Sequence, residues 1–87
     1  MRIKSTKRFD KMYKKTPIYI QESFLKRIKL FEKNKYHPLL DNHALSGVLK
    51  KYRSINISGD YRAIFKEIEK GTVMCFIMTG THSQLYG

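Results

Sequence analysis

Apolar residues recur at helical spacing in the first third of the chain and at strand spacing in the second half. Ile20, Phe24, Ile28 and Phe31 stand three or four residues apart, with Leu25 beside them. That spacing puts them on one side of a helix. Ahead of them, Thr16-Pro17 predicts the helix start, a capping hydroxyl followed by proline at the first helical position. The helix should run to about Asn34. A shorter helix, about Lys7–Lys15, is predicted before it, with Thr6 as N-cap and Phe9, Met12 and Tyr13 as its apolar stripe. Arg2–Ser5 reads as a short strand. Lys26, Arg27, Lys29 and Lys33 fall mostly off the stripe of the longer helix and predict a wet, cationic side.

Residues 35–47 carry Pro38, Asp41, Asn42 and Gly47 and read as a long loop, or a loop with a short turn. The period then changes to two. Tyr52–Ser58 alternates around Ile55 and Ile57, Ser58-Gly59-Asp60 is a hairpin turn, and Tyr61–Glu67 is the returning strand. Glu69-Lys70-Gly71 turns the chain again into a strand over Thr72–Thr79. The order βααβββ predicts an α+β fold, with two helices on one face of an antiparallel sheet. No internal repeat is visible.

Composition narrows the class. Eighty-seven residues predict a single domain, 1–87, and 41% hydrophobic with 13% aromatic residues supply enough apolar surface to fold. The one cysteine, Cys75, excludes a disulfide within the chain and a Cys/His zinc finger, and is expected to pack in the core. No apolar run approaches the roughly 20 residues that span a bilayer. Met1-Arg2-Ile3-Lys4 leads into no apolar segment, so no signal peptide is expected, and a cytoplasmic location is. Charge changes the picture most. Eighteen Lys and Arg stand against seven Asp and Glu, a net +11. Residues 1–35 hold twelve of the cations and three of the acids. Self-repulsion of this size weakens a compact state and implies a polyanionic partner: nucleic acid, an anionic membrane surface or an acidic protein.

Three constellations could carry chemistry. Lys50, Lys51 and Arg53 enter one strand and Arg62 lies on the next, where the short turn would bring Arg53 and Arg62 within a few rungs. Fixed cations suit a phosphate and the charge that develops on it during displacement. The C-terminal run Gly80-Thr81-His82-Ser83-Gln84-Leu85-Tyr86-Gly87 offers a histidine and, four residues on, a tyrosine able to stack on a base. Asp60 and His43 form the third set. Each also has a plainer reading, as a turn residue and a loop anchor. His37, before Pro38, reads as a loop residue. There is no Gly-rich phosphate loop and no HExxH, which removes support for nucleotide-triphosphate hydrolysis and zinc proteolysis.

Three segments taken together resemble the RelE/ParE superfamily of bacterial type II toxins. They are His43-Ala44-Leu45-Ser46-Gly47, the stretch Tyr52-Arg53-Ser54-Ile55-Asn56-Ile57-Ser58-Gly59-Asp60-Tyr61-Arg62-Ala63-Ile64-Phe65, and Gly80-Thr81-His82-Ser83-Gln84-Leu85-Tyr86. The likeness spans essentially the whole chain and is strongest to the RelE- and YafQ-like mRNA-cleaving branch. It implies a ribosome-dependent endoribonuclease without metal or cofactor, neutralised by a cognate antitoxin. In that chemistry the RNA's 2′-hydroxyl attacks the adjacent phosphorus, so a proton acceptor, a proton donor and cations are needed.

By the resemblance, His82 is the general-acid candidate, Tyr86 orients the nucleotide and Arg62 stabilises the phosphate. His43 and Asp60 match active-site positions, and either is a candidate for the base. Lys50, Lys51 and Arg53, with Lys26 and Lys29 on the helix, are the RNA-binding candidates. The chain departs from the YafQ-like pattern at Asn56, where those toxins carry a histidine, and no RelE-like basic pair flanks His82. A ParE-like toxin acting on DNA gyrase, and a non-enzymatic RNA-binding module, are the alternative readings of the same fold and charge.

Overall fold

The structure, a computed structural model, describes residues 1–86. β1 (Arg2–Ser5) leads into α1 (Lys7–Lys14) and α2 (Ile18–Lys33). A 3₁₀ turn at Pro38–Leu40, the two-residue strand β2 (His43–Ala44) and a second 3₁₀ turn at Gly47–Leu49 follow. The meander β3 (Arg53–Ser58), β4 (Tyr61–Ile68) and β5 (Val73–Thr81) ends in the short helix α3 (His82–Tyr86). The five strands lie in the order β1-β5-β4-β3-β2.

The α+β class and the helix-on-sheet packing are as expected, but the sheet is mixed, not wholly antiparallel. β1 pairs with β5 in parallel, from Arg2 opposite Val73 to Ser5 opposite Phe76. The meander makes β3 and β5 run the same way. The long two-helix connection frees β1 from the antiparallel sense that a hairpin would impose, so β1 shares the sense of β3 and β5, while β4 and β2 run against them. The second difference is β2. His43 and Ala44 lie in the stretch read as loop, and they pair with Ser54 and Arg53 to extend the sheet beyond β3.

Thr6 caps α1 by accepting a hydrogen bond from the Phe9 N–H at 3.1 Å. Thr16 does not cap α2. Its hydroxyl donates back to the Tyr13 carbonyl at 2.7 Å, and Pro17 itself stands at the cap position. The core forms where α1 and α2 meet β3, β4 and β5, from Phe9, Ile20, Phe31, Ile55, Ile57, Phe65 and Phe76, with Phe24 and Ile28 partly buried against it. Phe31 is fully buried, edge-on to Phe65 at 5.2 Å between ring centroids. Leu25 lies off this seam, 58% exposed. Arg27 leaves the cationic side of α2. Its guanidinium donates to the carbonyls of Ile57 and Leu39, both at 3.2 Å, and ties the helix to the hairpin end and the 3₁₀ turn.

Cys75 is not a core residue. It pairs with Lys66 and Lys4 on the sheet face away from the helices and is partly exposed. Among the described residues, Lys35 and Glu67, 3.5 Å apart, are the single pairing of a Lys or Arg with a carboxylate. No helix is long and apolar enough to cross a membrane.

Candidate active site

Alternation along the meander separates two sets of side chains. Ile55, Ile57, Ala63, Phe65 and Phe76 point to the helices and are buried there. Ser54 and Ile64 are opposite one another in the ladder, as are Asn56 and Arg62, and these face the other way. The second face is not covered by α1 or α2, and the candidate site lies there. β2 sets His43 directly across from Ser54 at one side. At the other, Gly80 lies opposite Arg62, and the chain passes from it into α3.

α3 holds its place through a capping box at Thr81 and Gln84. The Gln84 side chain accepts from the Thr81 N–H at 2.8 Å, and the Thr81 hydroxyl accepts from the Gln84 N–H at 3.2 Å. The run Thr81-His82-Ser83-Gln84 is the T-x-x-Q signature of this motif, so the signal was present in the sequence. The first turn of α3 is also anchored, as the His82 N–H donates to the Asp60 carbonyl at 3.2 Å. Helical spacing then brings His82 and Tyr86 together, their ring centroids 4.7 Å apart.

These elements enclose an open cleft of about 270 Å³. His43, Arg62, His82 and Tyr86 line it, and Asp41, Leu45 and Ser54 complete its wall. Four of the five residues expected to carry chemistry therefore meet in one place. Asp60 does not line the cleft. It sits at the hairpin tip, and the group it offers toward α3 is its backbone carbonyl.

The hydrogen bonds set the chemistry of the imidazole and guanidinium. His43 Nδ1 stands 2.7 Å from the Asp41 carbonyl oxygen. A carbonyl only accepts, so Nδ1 carries the proton, and in the neutral ring the Nε2 lone pair is left open. Asp41 ends the 3₁₀ turn in the left-handed region at φ 46°, and its carboxylate lies 3.9 Å from the same ring nitrogen, placed to balance a positive charge there. Arg62 Nη1 donates to the Gly59 carbonyl at 2.8 Å, which fixes the guanidinium against the hairpin turn. Its Nη2 and Nε carry no protein partner among the described residues. Asn56 donates to the same carbonyl at 3.2 Å, so the position where YafQ-like toxins carry histidine buttresses the turn here.

The basic candidates are not gathered at the cleft. Arg53 lies on the face of Ile55, opposite to that of Arg62, where it donates to Asn42 Oδ1 at 2.8 Å and stacks over Tyr36. The parity of the strand separates the two arginines, so they do not form one cationic set. Lys50 and Lys51 follow the Gly47–Leu49 turn and are exposed, and Lys29 is an exposed residue of α2. Lys26 lines a shallow groove with Arg27 and Leu39. A stronger cationic surface was missed. Lys7, Arg8, Lys11 and Lys15 line an open groove of about 420 Å³ on α1. The four-residue steps from Lys7 to Lys11 and Lys15 put those three on one helix face, a spacing legible in the sequence. His37 anchors its loop as expected, accepting from the Leu39 N–H at 3.1 Å. Among the described residues no group of three or more His, Cys, Asp or Glu could hold a metal ion.

Residues 1–87 match the model of the YafQ family, described as the bacterial toxin of a type II toxin-antitoxin system. The chain belongs to the YafQ family. It is thus a toxin of a type II toxin-antitoxin system. Solved YafQ structures agree. YafQ from Escherichia coli strain BL21(DE3) is 26% identical over the whole of both chains, with a TM-score of 0.72. YafQ in the E. coli DinJ-YafQ complex is 24% identical, also over the whole of both chains, at 0.73. A YoeB/ParE toxin from Agrobacterium tumefaciens shares the fold at a TM-score of 0.78, with 19% identity over 94% of this chain and 99% of that one. No curated protein matches the chain.

Proposed function

We propose that this YafQ-family toxin is an endoribonuclease that cuts mRNA on the ribosome. The observation that carries the reading is the meeting of His43, Arg62, His82 and Tyr86 around one cleft. His43 Nε2 takes the proton of the 2′-hydroxyl, whose oxygen then bonds to the adjacent phosphorus. The bond from phosphorus to the 5′-oxygen breaks, and His82 supplies the proton that the departing oxygen needs. The products are a 2′,3′-cyclic phosphate and a free 5′-hydroxyl. The unpartnered nitrogens of Arg62 face the charge that grows on the phosphate oxygens, and the Tyr86 ring gives the neighbouring base a surface to stack on. The base role goes to His43 because its ring lines the cleft, whereas Asp60 offers α3 a carbonyl.

The α1 groove suits the sugar-phosphate backbone of RNA outside the cleft, since its cations have no acidic partner among the described residues. E. coli YafQ is solved in complex with DinJ, and an acidic antitoxin is the corresponding partner here. The test is to induce the toxin and map mRNA 5′ ends. Codon-phased cuts inside translated frames are the expected result. Arrest of growth with intact mRNA would move the reading to a gyrase poison or a non-cleaving RNA binder.

A further inference from the structure

Ser54 lines the cleft but takes no part in the reaction above. It is the second residue of β3, 1% exposed, and its hydroxyl has no hydrogen-bond partner among the described residues. Buried polar groups are nearly always paired, because leaving one unpaired forfeits its bonds to water. An alanine would fill the same place in the sheet without that penalty, so the hydroxyl calls for a partner from outside the chain.

Its neighbours indicate which kind. On one side of Ser54 the ladder places His43, whose Nδ1 is already held by the Asp41 carbonyl. On the other it places Ile64, which offers no polar group, and Arg62 is the diagonal neighbour on the same face. Directly opposed side chains start roughly 4.5–5.5 Å apart at Cβ, and diagonal ones about 7–8 Å. The hydroxyl therefore stands in the wall between an imidazole and a guanidinium, all three lining one cleft. A ligand that suits all of them offers a hydroxyl to the open imidazole nitrogen and a compact, acceptor-rich anion to the guanidinium and the serine, which describes a ribose hydroxyl beside a tetrahedral phosphate.

We propose that Ser54 is a substrate-contacting residue whose hydroxyl donates to a non-bridging oxygen of the phosphate that is cut. The proposal rests on the nuclease reading and adds a second contact to the phosphate, beside that of Arg62. Because the hydroxyl gives up no water when the phosphate arrives, the new bond is not offset by its own desolvation.

The test compares wild type with Ser54→Ala in three measurements. The first is thermal unfolding, where Ser54→Ala should be as stable as wild type or more so, since an unsatisfied buried group has been removed. The second is single-turnover cleavage of ribosome-bound mRNA, which should slow about 10–100-fold, the usual effect of losing one hydrogen bond to a charged group. The third is titration with inorganic phosphate at constant ionic strength, followed by NMR of the His43 and His82 rings, where affinity should fall several-fold. Cleavage within twofold of wild type, or unchanged phosphate affinity, would overturn the proposal and leave an ordered water as the partner. Clear destabilisation would overturn it too, since the hydroxyl would then be serving the fold. If wild type itself leaves ribosome-bound mRNA intact, the nuclease reading fails, and the phosphate titration still decides whether Ser54 makes the contact.

Discussion

Gly80 is the joint between the sheet and the helix that presents His82 and Tyr86, and Gly80→Ala is the most informative single change. The residue has φ 158°, and a Cβ there would stand 2.7 Å from Gln84 Oε1 and 3.3 Å from Gln84 Cβ. The first distance forces a shift, and the second asks Gln84 to give by a few tenths of an ångström. The amide is the end of a flexible side chain, so it swings away and gives up its bond to the Thr81 N–H. Losing the cap costs about 1 kcal/mol, and the backbone strain of a side chain at that φ costs about 1 kcal/mol more. The fold survives a loss of about 2 kcal/mol, because a domain of this kind holds roughly 5–15 kcal/mol. α3 should not survive as a fixed element. With its cap gone, a helix of five residues frays, and His82 moves off the cleft by an ångström or more. Displacement on that scale is worth about 100-fold in a reaction that depends on alignment. The assays are chemical denaturation, ring-to-ring NMR contacts between His82 and Tyr86, and single-turnover cleavage. Gln84→Ala serves as a control that removes the cap without the backbone strain, and it should lose the ring contacts at about half the stability cost. Gly80→Ala with the His82–Tyr86 contacts intact and cleavage at the wild-type rate would refute the reasoning.

His82→Ala should slow cleavage about 10²–10⁴-fold while ribosome binding persists, and His82→Gln, which donates a hydrogen bond but cannot ionise, should be equally slow if proton transfer is the lost function; pre-steady-state cleavage with a parallel binding assay checks both. Phe31→Ala should cost about 3–5 kcal/mol in denaturant unfolding, because Phe31 is fully buried against Phe65 and Phe76. Reversing Lys7, Lys11 and Lys15 to Glu should weaken ribosome or RNA association and flatten its salt dependence without unfolding the chain, whereas Lys29→Glu, away from the groove, should change little.

The β3–β4 hairpin was legible because period-two alternation and Gly59 mark it locally. α2 was legible for the same kind of reason, with its stripe of Ile20, Phe24, Ile28 and Phe31. What escaped depends on partners distant in the chain. The sense of β1 is set by its pairing with the distant β5, which no residue of Arg2–Ser5 encodes. β2 is two residues long and has no period to read. Arg27 looks like a surface cation until the hairpin end and Leu39 are placed within its reach. At the site, Arg62, His82 with Tyr86, and His43 were singled out by their chemistry in three separate sets, and the resemblance joined them, because their spacing along the chain does not say that they meet. The separation of Arg53 from Arg62 could have been read from strand parity alone. Ser54 could not, since a serine between Arg53 and Ile55 gives no sign of being buried without a partner.

The near-absence of ion pairs bears on the thermodynamics of the folded chain. Eighteen cations meet one carboxylate partner among the described residues, so folding concentrates charge that the extended chain spreads out. Added salt shields this repulsion and favours the folded state, while the same ions compete with a polyanion for the surface. A polyanionic partner that recognises only the folded form acts as its multivalent counterion. At one hundred times its dissociation constant such a ligand adds about 2.7 kcal/mol. The chain without such a partner is then expected to open to proteases more readily than the chain that holds one, in proportion to the fraction of time the cationic surface stands free.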